Sequence, residues 1–186
     1  MLAHEAREAA IEYEHAMALS MHQISIPVFT RALRVLSNLL DMAAASATEK
    51  GTDPSALINA RLAPDMMPLS GQIQRASDTT KLAIARLAGV DAPPFADNEK
   101  TFAELKARLA NTIAFFETVD AAKVDGSEDK VIQLNVGKFS RTFRGDAYLL
   151  TFVIPNLFFH VTTAYDILRH NDVNVGKLDY LGPFAE

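Results

Sequence analysis

The chain has 186 residues, of which 49% are hydrophobic and 22% charged, and it carries a formal net charge of -5 and no cysteine. This length and composition are typical of one globular domain with one hydrophobic core. An acidic chain without a Lys/Arg cluster lacks the basic surface that nucleic acid requires, and without cysteine it forms neither disulfides nor thiolate metal sites. We therefore expect one soluble, cytoplasmic domain that does not bind nucleic acid.

The start of the chain differs from the rest. Residues 1–19 are rich in Ala and Glu with weak amphipathic spacing, which predicts an extension that can form a short helix but lacks the apolar core of a signal peptide. The longest apolar run, residues 147–159, is too short to cross a bilayer and contains Pro155 and Asn156. Residues 20–186 are thus predicted to form a single domain away from membranes.

Four segments repeat apolar residues every three or four positions, as helices do when one face is buried. Gly51 and Gly89 are predicted helix stops, and Thr101 with Glu104 has the spacing of a capping box. The predicted helices span residues 20–50, 68–88, 101–119 and 146–170.

Residues 130–145 break this pattern, because apolar and polar residues alternate there on either side of Gly137. Such alternation predicts a β-hairpin with its turn near residues 135–138. The connector after the first helix should contain a helical turn at Asp53 and Pro54, and residues 172–186 are expected to be an irregular tail. The sequence predicts an all-α four-helix bundle with a small β-hairpin between the third and fourth helices.

The fourth helix places His160 and Asn156 within its apolar arc, one turn apart. An unpaired buried polar group costs about 1–3 kcal/mol, so both side chains need partners. Either they line a polar pocket in which His160 is a metal ligand or a general base, or His160 bonds to Ser77, Asp78 or Thr80 and only fixes the helix register. The residue pattern leaves both interpretations open.

The opposite face of this helix carries several large aromatic side chains. So much apolar area predicts either a cover formed by the extension and the hairpin or a homodimer interface, and we expect a homodimer. Pro155 should kink the helix, since it cannot donate to the carbonyl of Thr151. The aromatic residues are Tyr148, Phe152, Phe158, Phe159 and Tyr165.

Several blocks, above all "NARLAPDM" and "PNLFFHVTTAYDILRHN", resemble the DUF1993 family, an uncharacterised bacterial group related to the DinB/YfiT-like four-helix bundles. The resemblance covers about residues 20–182 in the same order. It implies a DinB-like up-down-down-up bundle with a long crossover between the second and third helices.

Members of the wider superfamily often hold a divalent metal on three histidines, and some use it to activate a small thiol for transfer. His160 matches one histidine of the fourth-helix pair, but Asn156 occupies the partner position and the second helix offers no histidine. A divalent metal on His160 is therefore one alternative only. The candidate pocket residues are His160, Asn156, Asp78, Gln74 and Thr80, with Ser77 beside them.

Three functions remain open at this point. The first is a small-molecule-binding or stress-associated module with an internal polar pocket. The second is a metal-dependent, thiol-transferase-like transferase or hydrolase that uses His160, Asn156 and Asp78. The third is a purely structural dimeric protein.

Overall fold

A computed structural model describes residues 19–137 and 139–183 of the chain. Apart from Leu19, the predicted N-terminal extension and its expected helix lie outside the described residues.

The described residues form a helical bundle with one small sheet. The helices are α1 (Ile26–Lys50), α2 (Pro54–Ile58), α3 (Leu69–Ala88), α4 (Phe102–Glu117), α5 (Ala121–Val124), α6 (Gly145–Tyr148), α7 (Ile154–His170) and α8 (Lys177–Leu181). A π-helical turn, Leu149–Val153, joins α6 to α7. Strands β1 (Val131–Val136) and β2 (Phe139–Arg144) pair antiparallel as the predicted hairpin. The four long helices and the hairpin are confirmed.

Local sequence signals set several of these boundaries. Thr101 Oγ1 accepts from the Glu104 backbone N–H at 3.2 Å, and Glu104 Oε2 accepts from the Thr101 N–H at 2.9 Å, which completes the predicted capping box. Gly51 and Gly89 end α1 and α3 in the left-handed region, with φ of 62° and 69°. Glycine adopts this conformation without the steric cost that a Cβ brings.

Contacts between helices fix their directions. Near the start of α1, Phe29 packs against Phe116 at the end of α4 with ring centroids 6.3 Å apart, whereas Asp41 further along α1 pairs with Lys106 near the start of α4. These two helices therefore run antiparallel. Helices α3 and α7 are also antiparallel. Gln72 near the start of α3 bonds to His160 of α7, whereas Thr79, further along α3, bonds to the earlier residue Asn156.

The segment from Val90 to Thr101 explains how α4 follows α3. Its Phe95 ring lies under the Lys81 ammonium at 3.8 Å, and further along Glu99 accepts from Gln74 at 2.9 Å. The segment thus runs back along α3, so α4 begins beside the start of α3 and points the same way. This confirms the up-down-down-up order and the long crossover between the second and third bundle helices.

The fourth bundle helix is more complex than the sequence indicates. It begins at Gly145, widens into the π-helical turn at Leu149–Val153 and continues as α7, with Pro155 in the first turn of α7. A π-helical turn shifts the hydrogen-bond register where proline removes a donor. By length and composition the stretch Gly145–His170 could cross a membrane, but it is packed into the bundle core, as the central helix of a soluble fold is.

Two local expectations are corrected, and one short helix was not predicted. Residues 21–25 form turns, and α1 begins only at Ile26, where Pro27 occupies the first helical turn. The predicted irregular tail contains α8, where the Tyr180 ring meets Tyr165 edge-on at 5.9 Å and so anchors the segment to α7. Helix α5, a single turn capped by Asp120, carries too weak a periodic signal to be predicted.

The hairpin covers much of the aromatic face of the fourth bundle helix. Phe139 stacks on Phe152 at 6.1 Å, and Phe143 packs against Tyr148 at 5.9 Å. Tyr148 is only 1% exposed as a result, whereas Phe159 beyond the hairpin remains 55% exposed. Covering by the hairpin was one of the two predicted explanations for this face.

Candidate functional site

Polar side chains bridge α3 and the fourth bundle helix, which comprises α6, the π-helical turn and α7, along one line that we call the α3–α7 seam. Positions 72, 79 and 86 of α3 are each seven residues apart, or about two helical turns, so they share one face. The bridges are His160 Nδ1 to Gln72 Oε1 (2.8 Å), Asn156 Nδ2 to Thr79 Oγ1 (2.8 Å) and Arg86 Nη1 to Tyr148 Oη (2.9 Å).

A pocket of about 300 Å³ opens along this seam. Its polar wall comes from α3 and the fourth bundle helix, and its apolar wall includes the hairpin, which contributes Leu134 and Val136. The pocket-lining residues are Met67, Arg75, Asp78, Thr79, Leu82, Arg86, Leu134, Val136, Tyr148, Phe152, Asn156 and His160. A small cavity with apolar walls and a few convergent polar groups is the usual form of a ligand site.

The hydrogen bonds of Gln72 determine the protonation of His160. Gln72 Nε2 donates to the Met67 carbonyl at 3.0 Å, which orients the amide so that Oε1 faces the imidazole. Because this oxygen can only accept, Nδ1 of His160 must carry the proton. Burial, followed by the positive charge of Arg75, lowers the pKa of His160 from 6.5 to about 4. The ring is therefore neutral at pH 7, with its lone pair on Nε2.

This Nε2 lone pair is open to a ligand. Among the described residues Nε2 has no hydrogen-bond partner, and no fully buried side-chain nitrogen or oxygen there lacks one. Nε2 is therefore accessible from the pocket. With a pKa near 4, His160 is a weak proton acceptor at neutral pH but an effective hydrogen-bond acceptor.

Asp78 lines the same pocket, but its carboxylate is already paired with cations of the chain. Its carboxylate pairs with Arg108 at 2.8 Å, Lys81 at 3.2 Å and Arg75 at 3.1 Å. Arg108 also donates to Glu99 at 2.8 Å. We call this group of residues between α3, α4 and the crossover the α3–α4 seam. Asp78 thus stabilises the fold and is poorly placed to act as a metal ligand.

Two predicted residues, Gln74 and Thr80, do not line the pocket. Gln74 Nε2 is bound to Glu99 on the crossover at 2.9 Å. Thr80 is fully buried, and its hydroxyl donates to the carbonyls of Ala76 and Ser77 in its own helix, both at 3.0 Å. Helix α3 presents polar residues both to the fourth bundle helix and to the crossover. Gln74 faces the crossover and Thr80 is buried inside the bundle, so neither side chain lines the pocket.

The sequence reasoning missed Gln72, Thr79, Arg86 and Tyr148. His160 was expected to bond to Ser77, Asp78 or Thr80, yet its partner is Gln72, and the Ser77 hydroxyl bonds to Thr112 at 2.8 Å. The seven-residue spacing of positions 72, 79 and 86 is a signal that could have identified this face, because polar residues at such spacing line up along a helix.

The residues present do not fit a transition-metal ion. His160 is the one histidine of the pocket lining and only its Nε2 is without a hydrogen-bond partner, while Asn156 and Thr79 add only neutral oxygen atoms. Within residues 19–137 and 139–183, no group of three His, Asp or Glu side chains could hold a metal ion. The guanidinium of Arg75, which acts on the His160 pKa, also opposes a cation there. Zinc and its neighbours favour several imidazole or carboxylate ligands.

Comparison with known proteins agrees with this architecture. Residues 21–181 match the family described as "Domain of unknown function (DUF1993)". The chain belongs to the DUF1993 family. The crystal structure of a DinB family member protein from Shewanella denitrificans is similar, with 38% sequence identity, a TM-score of 0.81 and alignment over 89% of this chain and 93% of that one. No curated protein matches the sequence.

Membership of the DUF1993 family confirms the resemblance seen in the sequence, and the family description assigns no function. The match spans α1 to α8, so both walls of the α3–α7 seam and the hairpin lie within the family domain.

Proposed function

We propose that this DUF1993 protein is a small-molecule-binding protein whose ligand occupies the pocket on the α3–α7 seam. The observation that carries the proposal is the neutral imidazole of His160, held by Gln72 so that its bare Nε2 faces a cavity of about 300 Å³. An accessible acceptor that no protein donor occupies is available to an N–H or O–H group of a ligand.

The walls of the pocket support the same proposal. Met67, Leu82 and Val136 are 48%, 37% and 58% exposed at its rim, although they are apolar. Apolar side chains that surround a polar floor suit a ligand with an apolar body and a few polar groups.

The arrangement favours binding over metal-dependent catalysis. A transferase or hydrolase of the superfamily type would need ligands that this seam does not supply, and a neutral imidazole with a pKa near 4 is poorly matched to general-base work at pH 7. Binding therefore fits the available groups best.

A pocket-filling substitution tests the proposal. Small apolar acids, alcohols and amides would be screened by ligand-observed NMR against the wild type and Leu82→Trp, which fills the pocket without removing a seam hydrogen bond. Leu178→Trp on α8 is the matched control, since Leu178 is 75% exposed and lies outside the pocket. We expect ligands that bind the wild type and Leu178→Trp but not Leu82→Trp. Equal binding to all three proteins, or no binding to any, would refute the proposal.

The homodimer remains a separate proposal. Leu150 and Phe159 on the fourth bundle helix are 52% and 55% exposed, and apolar side chains of this size are common at interfaces. Sedimentation at micromolar concentration tests it: a dimer that Phe159→Ser converts to a monomer supports it, and a wild-type monomer rejects it.

A further inference from the structure

The end of the pocket beneath the hairpin differs in charge from the His160 end. Arg86 is partly buried there, and Nη1 donates to the Tyr148 hydroxyl at 2.9 Å. Among the ion pairs of the described residues none involves Arg86, whereas Arg75 in the same pocket pairs with Asp78 and Asp97. Arg86 thus keeps an uncompensated positive charge inside the pocket.

Tyr148 supplies a second donor at the same place. Its side chain is 1% exposed, and burial raises the pKa of its hydroxyl, so the group stays protonated at neutral pH. The Tyr148 oxygen accepts from Arg86, and its own hydrogen is donated to no described group. Arg86 and Tyr148 therefore lie side by side, and apart from the bond between them their remaining N–H and O–H hydrogens are bound to no acceptor among the described residues.

The hairpin carries one further cation close to this end of the pocket, although that residue is exposed and does not line it. In the register of the sheet Arg141 lies directly opposite Leu134, so both residues share one face of the hairpin, and Leu134 lines the pocket. The one acidic residue of the pocket lining, Asp78, is already paired with three cations. The electrostatic balance of the pocket at this end favours an anion.

We propose that the pocket takes an apolar organic carboxylate, whose carboxylate is bound by Arg86 and Tyr148 and whose apolar body lies between Leu82, Leu134 and Phe152. This inference rests on the proposed function and names its ligand class. A guanidinium binds a carboxylate by charge-assisted hydrogen bonds, which are stronger than bonds between neutral groups. The cavity lies at the small end of the range for ligand sites, which suits a short acyl or aryl acid.

The test compares octanoate with octan-1-ol, which has the same chain and no charge, by titration calorimetry at constant ionic strength. We expect octanoate to bind the wild type about tenfold more tightly than octan-1-ol. In Arg86→Gln this preference should vanish while octan-1-ol binds as before. Lys177→Gln on α8 removes the same charge from an exposed site outside the pocket and should preserve the preference.

The outcomes separate the two proposals. If both probes bind the wild type equally, or if Arg86→Gln retains the preference, the carboxylate inference is overturned while the pocket stands. If neither probe binds the wild type, the carboxylate inference is overturned, and binding of other compounds in the pocket-filling screen decides whether the pocket is a ligand site. Unfolding curves for Arg86→Gln verify that the variant is folded.

Discussion

The two seams of α3 contain similar polar residues but differ in how completely those residues are paired within the chain. In the α3–α4 seam Arg108 is 3% exposed, and it is surrounded by Asp78, Asp97 and Glu99 with N–O distances of 2.8 to 3.0 Å. In the α3–α7 seam Arg86 has no carboxylate partner among the described residues, and Nε2 of His160 has no donor. One seam is complete within the chain, and the other leaves hydrogen-bonding capacity unused beside a cavity.

This difference assigns separate roles to the two sides of one helix. Buried charges that are fully paired hold helices in register, and removal of one partner is strongly unfavourable. Polar groups that stay unpaired at a cavity contribute less to folding and are available to a ligand. The comparison predicts that changes in the α3–α4 seam affect stability most and that changes in the α3–α7 seam affect binding most.

The largest effect is expected at Arg108. Arg108→Met keeps an apolar stem but leaves the carboxylates of Asp78 and Glu99 without their shared partner, so it should lower the free energy of unfolding by about 3–5 kcal/mol. Urea denaturation at pH 7 measures this. Lys106→Ala, on the same helix as Arg108, is the control: it breaks an exposed pair with Asp41 of α1 and should cost under about 1 kcal/mol. Equal losses of unfolding free energy for the two variants would show that the pairing of Arg108 is not what holds the α3–α4 seam together.

A second effect concerns the attachment of the hairpin to the fourth bundle helix. A Cβ at Gly145 would lie 1.9 Å from the Ser127 carbonyl oxygen, so Gly145→Ala must displace the backbone. We expect a loss of about 1–3 kcal/mol in unfolding free energy and weaker ligand binding, since the hairpin forms one pocket wall. Gly176→Ala, whose Cβ would be 3.7 Å from the nearest atom, should change stability by less than about 0.5 kcal/mol. Unchanged stability of Gly145→Ala would show that this close approach is not required.

A smaller effect arises from the protonation of His160. The unfolded chain takes up its proton near pH 6.5, but the folded chain does so only near pH 4, so acid favours unfolding in this interval. Above pH 6.5 the imidazole is neutral in both states and costs no stability. As the pH falls toward 4, protonation of the unfolded chain progressively lowers the free energy of unfolding. Allowing for partial solvent screening, the wild type should lose about 2 kcal/mol more than His160→Gln over this range.

Denaturation curves of both proteins at several pH values give that difference, in which the titration of other groups cancels. Parallel stability profiles for wild type and His160→Gln would indicate that the imidazole is not held neutral and that Nε2 is not an open acceptor.

The sequence predicted the bundle well because its signals are local. The capping box at Thr101 and Glu104, the glycine stops at Gly51 and Gly89, and the alternation around Gly137 each depend on residues only a few positions apart. The π-helical turn at Leu149–Val153 and the helical turn of α8 depend on packing, which such patterns do not encode.

The site was predicted less completely for the same reason. The helical wheel placed Asn156 and His160 toward the bundle, and both line the pocket. Their partners on α3 depend on how that helix is rotated between two neighbours, so Gln74 was predicted in the pocket although it faces the crossover, and Gln72 was missed. A difference of two residues along a helix changes the direction of a side chain by about 200°.

The ring nitrogens of His160 provide the most direct test of an open acceptor in the α3–α7 seam. A two-dimensional ¹H–¹⁵N spectrum at pH 7, assigned by comparison with His160→Gln, distinguishes the two neutral tautomers from the imidazolium. The structure predicts a proton on Nδ1, a bare Nε2 and titration near pH 4. A proton on Nε2, or a charged ring at pH 7, would contradict the account.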